Sequence, residues 1–199
     1  MINASITILA FVPQMLFGLA RMGIVALLKK RRTIMNKFEK ISYEQFEKDL
    51  SGDAWVEPII NIMYEQIKLP QRATKFSAGY DIYAPYDLVI PPKGTVKVPT
   101  GIRVQLDDDK FLAVYPRSGL GFKFKMQLYN SVGIIDSDYY NSDNEGHIWC
   151  KFYNDSPEGK TITIHKGEAM CQGIIQQFFK TDDDSAEGIR NGGWGSTDK

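Results

Sequence analysis

Histidine and cysteine are nearly missing from this chain, with two of each in 199 residues. His147, His165, Cys150 and Cys171 are too few and too scattered for any zinc-ligand spacing, which argues against a zinc hydrolase or zinc deaminase. Net charge is missing too. The 24 basic and 24 acidic residues cancel, and a pI of about 6.7 argues against non-specific nucleic-acid binding. Both cysteines sit in strand-like apolar runs, so they read as buried free thiols in a reducing compartment or as one disulfide.

An unbroken membrane-length apolar run is also lacking. Ile6 to Leu28 is mostly apolar, but Pro13, Gln14 and Arg21 interrupt it and Lys29-Lys30-Arg31-Arg32 follows it. An arginine near the middle of a span costs about 2.5–3.5 kcal/mol on insertion scales. The segment is a marginal signal or anchor helix, and a duller origin fits better. Met35-Asn36-Lys37-Phe38 resembles a natural protein start, and Arg31-Arg32, two residues before it, is what an in-frame purine-rich ribosome-binding site encodes. Residues 1–34 are therefore expected to be an over-extended reading, and the protein to be cytoplasmic with no membrane partner.

The rest divides into three parts. Residues 35–56 form an N-terminal helix and linker. The helix is expected from Asn36 to Gly52, with Ser42 and Gln45 as a capping box and Ile41 and Phe46 at staple positions. From residue 57 to about 180 the period is two: Val96 and Val98; Ile102, Val104 and Leu106; Phe122, Phe124, Met126 and Leu128; Ile162 and Ile164. Turn signals at Pro91–Gly94, Asp107–Asp109, Asn154–Pro157 and Lys166-Gly167 separate them, which predicts an all-β antiparallel sandwich or barrel. Residues 181–199, rich in Asp, Gly and Ser, read as a flexible tail.

What the chain does have is Tyr129 to Tyr140, where an apolar run ends in Asp136-Ser137-Asp138. Ile134 and Ile135 favour a buried strand. The Asp136 carboxylate then sits at the lip of a core, a setting that suits a general base. Four segments accompany it in order. They are Ala78-Gly79-Tyr80-Asp81-Ile82-Tyr83-Ala84, Pro116-Arg117-Ser118-Gly119-Leu120-Gly121, Gly167-Glu168-Ala169-Met170-Cys171-Gln172-Gly173, and Arg190 to Thr197 with its Gly192-Gly193-Trp194-Gly195 core. Together the five resemble the motifs of the trimeric deoxyuridine triphosphate nucleotidohydrolases, the dUTPases, over everything from about Leu69 onward.

The resemblance implies a jelly-roll-like β-barrel that forms a homotrimer, with each active site drawing on three subunits. It implies that Arg117, Ser118 and Gly119 hold phosphates. Asn130, Gly133, Ile134 and Ile135 belong to a hairpin whose main chain reads uracil, and Tyr139 packs against the sugar and rejects a 2′-hydroxyl. Trp149 on the returning strand and Gln172 reach the substrate, although Gln172 also reads as a satisfied core glutamine. Trp194 would stack on the uracil while Arg190, Ser196 and Thr197 grip phosphates as a closing tail. Asp81 would support Mg²⁺ through waters, or is simply a turn residue.

Two departures stand out. Tyr140-Asn141-Ser142-Asp143-Asn144-Glu145 lengthens the hairpin, with a tip expected to be mobile and polar. Trp194 stands where the family more often has Phe, in a tail motif one residue short. The implied reaction is Mg²⁺-assisted hydrolysis of dUTP to dUMP and pyrophosphate, with Asp136 activating water for in-line attack on the α-phosphorus. Such an activity limits uracil incorporation into DNA and supplies dUMP for dTTP synthesis. The rivals are a dCTP deaminase-like enzyme of related fold, which Asp136-Ser137-Asp138-Tyr139 fits less well, and an added regulatory protein partner bound through residues 140–145.

Overall fold

Ser42 begins the first helix as its sequence predicts: its hydroxyl accepts from Gln45 N at 3.1 Å, a cap worth about 1 kcal/mol. The reciprocal half of the capping box is supplied from elsewhere. Ser42 N donates to the carboxylate of Glu145 at 2.8 Å, while Ile41 and Phe46 are both buried. The helix α1 is shorter than expected, Tyr43–Leu50, because Lys37–Lys40 before it is a strand, β1. A computed structural model describes residues 36–51, 55–188, 190 and 192. The expected extension 1–34, together with Trp194, Ser196 and Thr197, lies outside them.

A second helix, α2, spans Glu57–Glu65 and corrects the expectation of period-two structure from residue 57. Pro58 in its first turn favours initiation. Ile60 and Met63, three residues apart, share its buried face, and Ile67 just beyond the helix is buried as well.

The remainder is mostly β. In chain order the strands are β2 Gln71–Arg72, β3 Tyr80–Tyr83, β4 Leu88–Ile90, β5 Thr95–Pro99, β6 Ile102–Gln105, β7 Lys110–Pro116, β8 Met126–Leu128, β9 Gly133–Asp136, β10 Trp149–Asn154, β11 Ile162–Ile164 and β12 Ala169–Gln177. A helix α3, Ser118–Phe124, follows β7, and a 3₁₀ turn, Ser137–Asn141, follows β9. Among the described residues the strands form four antiparallel sheets, ordered β1-β6, β5-β10-β8, β11-β4 and β2-β3-β12-β7-β9. Alternation does the sorting. In β10, Cys150, Phe152 and Asn154 point inward, while Trp149, Lys151 and Tyr153 are half-buried on the other face. Buried Asn154 is satisfied by the Ile90 and Lys160 carbonyls, both at 2.8 Å. Cys150 and Cys171 are buried free thiols with their sulfurs 3.7 Å apart, and burial pushes the Cys171 thiol well above its usual range.

The alternation from Phe122 to Leu128 does not make one strand. Phe122 and Phe124 lie on α3, with Phe122 almost fully exposed. Lys125 stops the helix in the left-handed conformation at φ 53°, so a helix and a strand meet inside a period-two pattern.

One buried polar relay joins the ends of the fold. Gly101 N donates to His147 Nε2 at 2.8 Å, so the ring proton sits on Nδ1, which donates to Asp49 Oδ2 at 2.5 Å. Burial holds the His147 pKa below its ordinary 6.5, against the pull of Asp49. Burial would raise Asp49, yet hydrogen bonds from His147 and Gln45 bring it below its usual value. The unfolded chain therefore takes up the His147 proton before the folded chain does. Stability is complete above about pH 6.5 and is lost as pH falls through that value. Melting curves from pH 8 to 5.5 should show Tm declining on the acid side, and His147→Gln should flatten that slope. A wild-type Tm independent of pH would contradict the relay.

Candidate active site

The long strand β12 lies between β3 and β7, and its register assembles a polar cluster at one end of the sheet. Gln172 stands opposite Asp81 on one side and Tyr115 on the other, and Cys171 stands opposite Pro116. Arg117, the next residue, turns its Nε to Asp81 Oδ1 at 3.1 Å. Gln172 Nε2 donates to the Pro116 carbonyl at 3.2 Å. Asp81 and Gln172 are thus strand residues gathered with Arg117 in one place.

Ser118 and Gly119 follow as the first turn of α3, where the expectation was a glycine turn. The opening N–H groups of a helix have no intrahelical partner, so the expected supply of backbone donors is present in a different form. An open groove of about 670 Å³ runs past Arg117, Ser118, Gly119, Lys123, Thr163 and Glu168. A Cβ placed on Gly119 or Gly121 would meet nothing within 4 Å; these glycines are not required by packing within the chain. The far end of α3 is pinned by Asp155, which pairs with Lys125 at 2.6 Å and also with Lys93. The two ammonium groups hold its carboxyl at about 2.

Asp136 lies elsewhere. It ends β9, opposite Phe111 at the start of β7, whereas Arg117 follows the end of β7. Six residues of strand separate the two levels, about 20 Å at roughly 3.3 Å per residue. The structure therefore brings the sequence-predicted residues into two clusters. Around Asp136 are Arg190, whose Nη2 donates to Asp136 Oδ2 at 2.5 Å, and Asp138, whose Oδ1 lies 3.0 Å from Arg190 Nε. The Arg190 guanidinium is 5.9 Å from the centre of the Tyr139 ring. Asp138 is the residue that sequence reasoning left unassigned; a second carboxylate two positions beyond Asp136 was the available signal.

Several local expectations change. Only Ile135 faces the core; Ile134 is 54% exposed and the Asp136 side chain 46% exposed, so the carboxylate is less desolvated than an apolar run on both sides suggested. Asn130 to Asp136 is not a hairpin of one ladder: β8 pairs with β10 while β9 pairs with β7, so the turn bridges two sheets. A Cβ on Gly133 would sit 3.3 Å from Val114 Cβ, which gives that glycine a packing reason. Trp149 on β10, in register with Pro99 of β5, packs on the His147 ring at 5.3 Å and carries Lys97 Nζ 4.0 Å above its own.

The 140–145 segment is not a free polar tip. Tyr140 Oη donates to Glu39 at 2.5 Å, Ser142 is buried, and the Glu145 carboxylate accepts from both Ser42 N and Ser42 Oγ. Asn141 and Asp143 are its exposed residues. Long-range partners of this kind have no local signature in sequence.

The dUTPase family profile matches residues 65–197. The chain is 40% identical over 134 residues to the deoxyuridine 5′-triphosphate nucleotidohydrolase of Lactococcus lactis, covering 66% of this chain and 88% of that one. It is 32% identical over 146 residues to that of Paramecium bursaria Chlorella virus 1, covering 70% and 96%. The crystal structure of dUTPase from Streptococcus mutans superposes with a TM-score of 0.56 at 31% identity, covering 73% of this chain and 98% of that one. The dUTPase of phage phi11 of Staphylococcus aureus has the same fold, with a TM-score of 0.55 at 18% identity over 78% and 98%. The chain belongs to the dUTPase family.

The described tail residues before Arg190 are exposed and add no strand or helix, and the Arg190 pairs are partly solvated. Truncation after Glu187 should therefore cost at most about 1 kcal/mol, a fall in Tm of no more than about 4 °C, measured by differential scanning fluorimetry. A collapse of melting would make the tail a structural element.

Proposed function

We propose that the protein hydrolyses dUTP to dUMP and pyrophosphate in active sites shared between chains of a homotrimer. The observation that carries this reading is the separation of the two clusters. Asp136 and the Arg117 cluster lie about 20 Å apart along β7, too far to act on one α-phosphate within a chain. A neighbouring copy that presents its Arg117 end to this chain's Asp136 end completes a site.

Within such a site the roles follow from the chemistry of each group. Asp136 accepts a proton from water as the water oxygen bonds to the α-phosphorus in line, and the bond from that phosphorus to the bridging oxygen breaks. Arg117, Ser118 and the Gly119 amide bind phosphate oxygens, with Gln172 beside them. Main-chain groups of Asn130, Gly133, Ile134 and Ile135 pair with the uracil edge, and a cytosine amine would leave them unpaired. Tyr139 forms the wall at the sugar. Arg190, Trp194, Ser196 and Thr197 close over the bound nucleotide, so Arg190 exchanges its present carboxylate partners for phosphate. Trp149 begins the strand that returns from the segment after Tyr139.

Among the described residues no three His, Cys, Asp or Glu side chains cluster as a metal cage. Asp81, a single carboxylate beside Arg117, fits a hydrated Mg²⁺ carried mainly by phosphate oxygens, which it would support through waters. When bound, Mg²⁺ supplies neutralisation of triphosphate charge. No described helix is long and apolar enough to cross a membrane, and a freely diffusing nucleotide substrate fits a cytoplasmic location. The activity would limit uracil in DNA and provide dUMP for dTTP synthesis.

Asp136→Asn keeps the shape of the residue and removes the base. With dUTP it should lower kcat at least about 100-fold while changing Kd little, read by pyrophosphate release and by equilibrium binding of dUTP. A variant that keeps most of the wild-type rate would remove Asp136 from the mechanism.

A further inference from the structure

The segment after Asp136 holds polar groups to which the proposed reaction gives no role. Tyr139 is 5% exposed, and its phenol is committed on both sides. Oη donates to the His147 carbonyl at 2.9 Å and accepts from Asn144 Nδ2 at 2.8 Å. The single Ser142 hydroxyl proton lies between the Tyr139 carbonyl at 2.7 Å and Asn144 Oδ1 at 2.8 Å, and Asn144 Nδ2 faces both the phenol and the His147 carbonyl. The phenol has one proton, and its hydrogen bond to the His147 main-chain carbonyl uses it. What Tyr139 offers a ligand is its ring.

This arrangement is backed by the N-terminal arm, which precedes residue 65, where the family match begins. Glu145 is held by Ser42, His147 by Asp49 and Tyr140 by Glu39. Gly146, between the two anchored residues, has φ +71°, and a Cβ there would lie 2.8 Å from Tyr140 Cα. The arm and the lengthened segment therefore fix Tyr139 from outside the five motifs.

We propose that Asn144 is a positioning residue that sets the Tyr139 ring as the wall excluding ribonucleotides, with the N-terminal arm as its support. This rests on the reading of Tyr139 as the sugar-facing residue. A 2′-hydroxyl pressed against a ring whose phenol proton is already given away loses its water and gains no partner. Without the Asn144 bond the phenol can swing, and its hydroxyl can meet the 2′-hydroxyl of UTP.

The test uses the full chain and compares kcat/KM for UTP and dUTP, with Tm, in wild type, Asn144→Ala, Asn144→Asp, Tyr139→Phe and the Tyr139→Phe/Asn144→Ala double variant. Asn144→Asp is nearly isosteric and removes the donor, so it separates the hydrogen bond from packing. Asn144→Ala and Asn144→Asp should each raise the UTP-to-dUTP ratio about tenfold, the value of one hydrogen bond of roughly average strength. The double variant should relax the ratio no further than Tyr139→Phe alone, as coupled partners do. Asn144 variants that lower Tm or rate but leave the ratio unchanged would overturn the proposal and make the residue purely structural. A wild-type chain that hydrolyses dUTP no better than UTP would instead overturn the assignment of Tyr139 itself, and this proposal with it.

Discussion

The register of β12 against β3 and β7 is the constraint on which the rest of the site depends. A slip of one residue would turn every side chain of the strand to the opposite face, moving Gln172 away from Asp81 and Arg117 and exposing Met170 and Gly173. The register is held by core packing at an irregularity: Met170 is the extra residue between Ala169 and Cys171, and both it and Cys171 are fully buried. A Cβ at Gly173 would lie 2.8 Å from Leu112 Cδ1. Packing of apolar atoms on either side of Gln172 thus sets where Gln172, Asp81 and Arg117 come together. The same β7 strand carries β9 on its free side, which sends Asp136 toward the strand's beginning while Arg117 leaves from its end.

This geometry separates two polar clusters, and in the proposed reaction each is one half of a shared site. In the single chain, Arg117 rests on Asp81 and Asp136 rests on Arg190, so each cluster meets its charge locally. Both ion pairs are partly solvated and worth little in stability, so the exchange of their members for phosphates that the proposed reaction requires costs little. The buried hydrogen bonds around His147 are of a different kind. His147, Thr100 and Tyr139 make theirs inside the core, where an unpaired polar group costs about 1–3 kcal/mol. The fold therefore keeps its rigid hydrogen bonds behind Tyr139 and its replaceable ones at Asp136 and Arg117.

Much of this was legible in the sequence wherever the cause is local. Period-two runs located β5, β6 and β11, Ser42 located the helix start, and turn signals located the breaks between strands. The ordered motifs pointed to the family. The failures came where long-range packing outvoted pattern. Phe122 and Phe124 alternate with lysines yet ride a short helix, and the helix Glu57–Glu65 shows only two buried residues, Ile60 and Met63, with Ile59 and Ile62 largely exposed. Residues 140–145 read as a polar loop because composition cannot show that Glu145 will meet Ser42, 103 positions earlier. Nor could spacing reveal that Asp136 and Arg117 would sit at opposite ends of one strand, since that follows from pairing alone.

If one active site takes Asp136 from one chain and Arg117 from another, mixing two defective chains restores activity. Arg117→Ala and Asp136→Asn chains, each inactive alone, would be co-refolded in equal amounts and assayed for pyrophosphate release from dUTP. Random assembly of a closed ring places an intact Asp136 beside an intact Arg117 from a different chain in about a quarter of sites, so activity should return to about a quarter of wild type. A mixture as inactive as its components would show that both residues must come from the same chain, and would contradict the account.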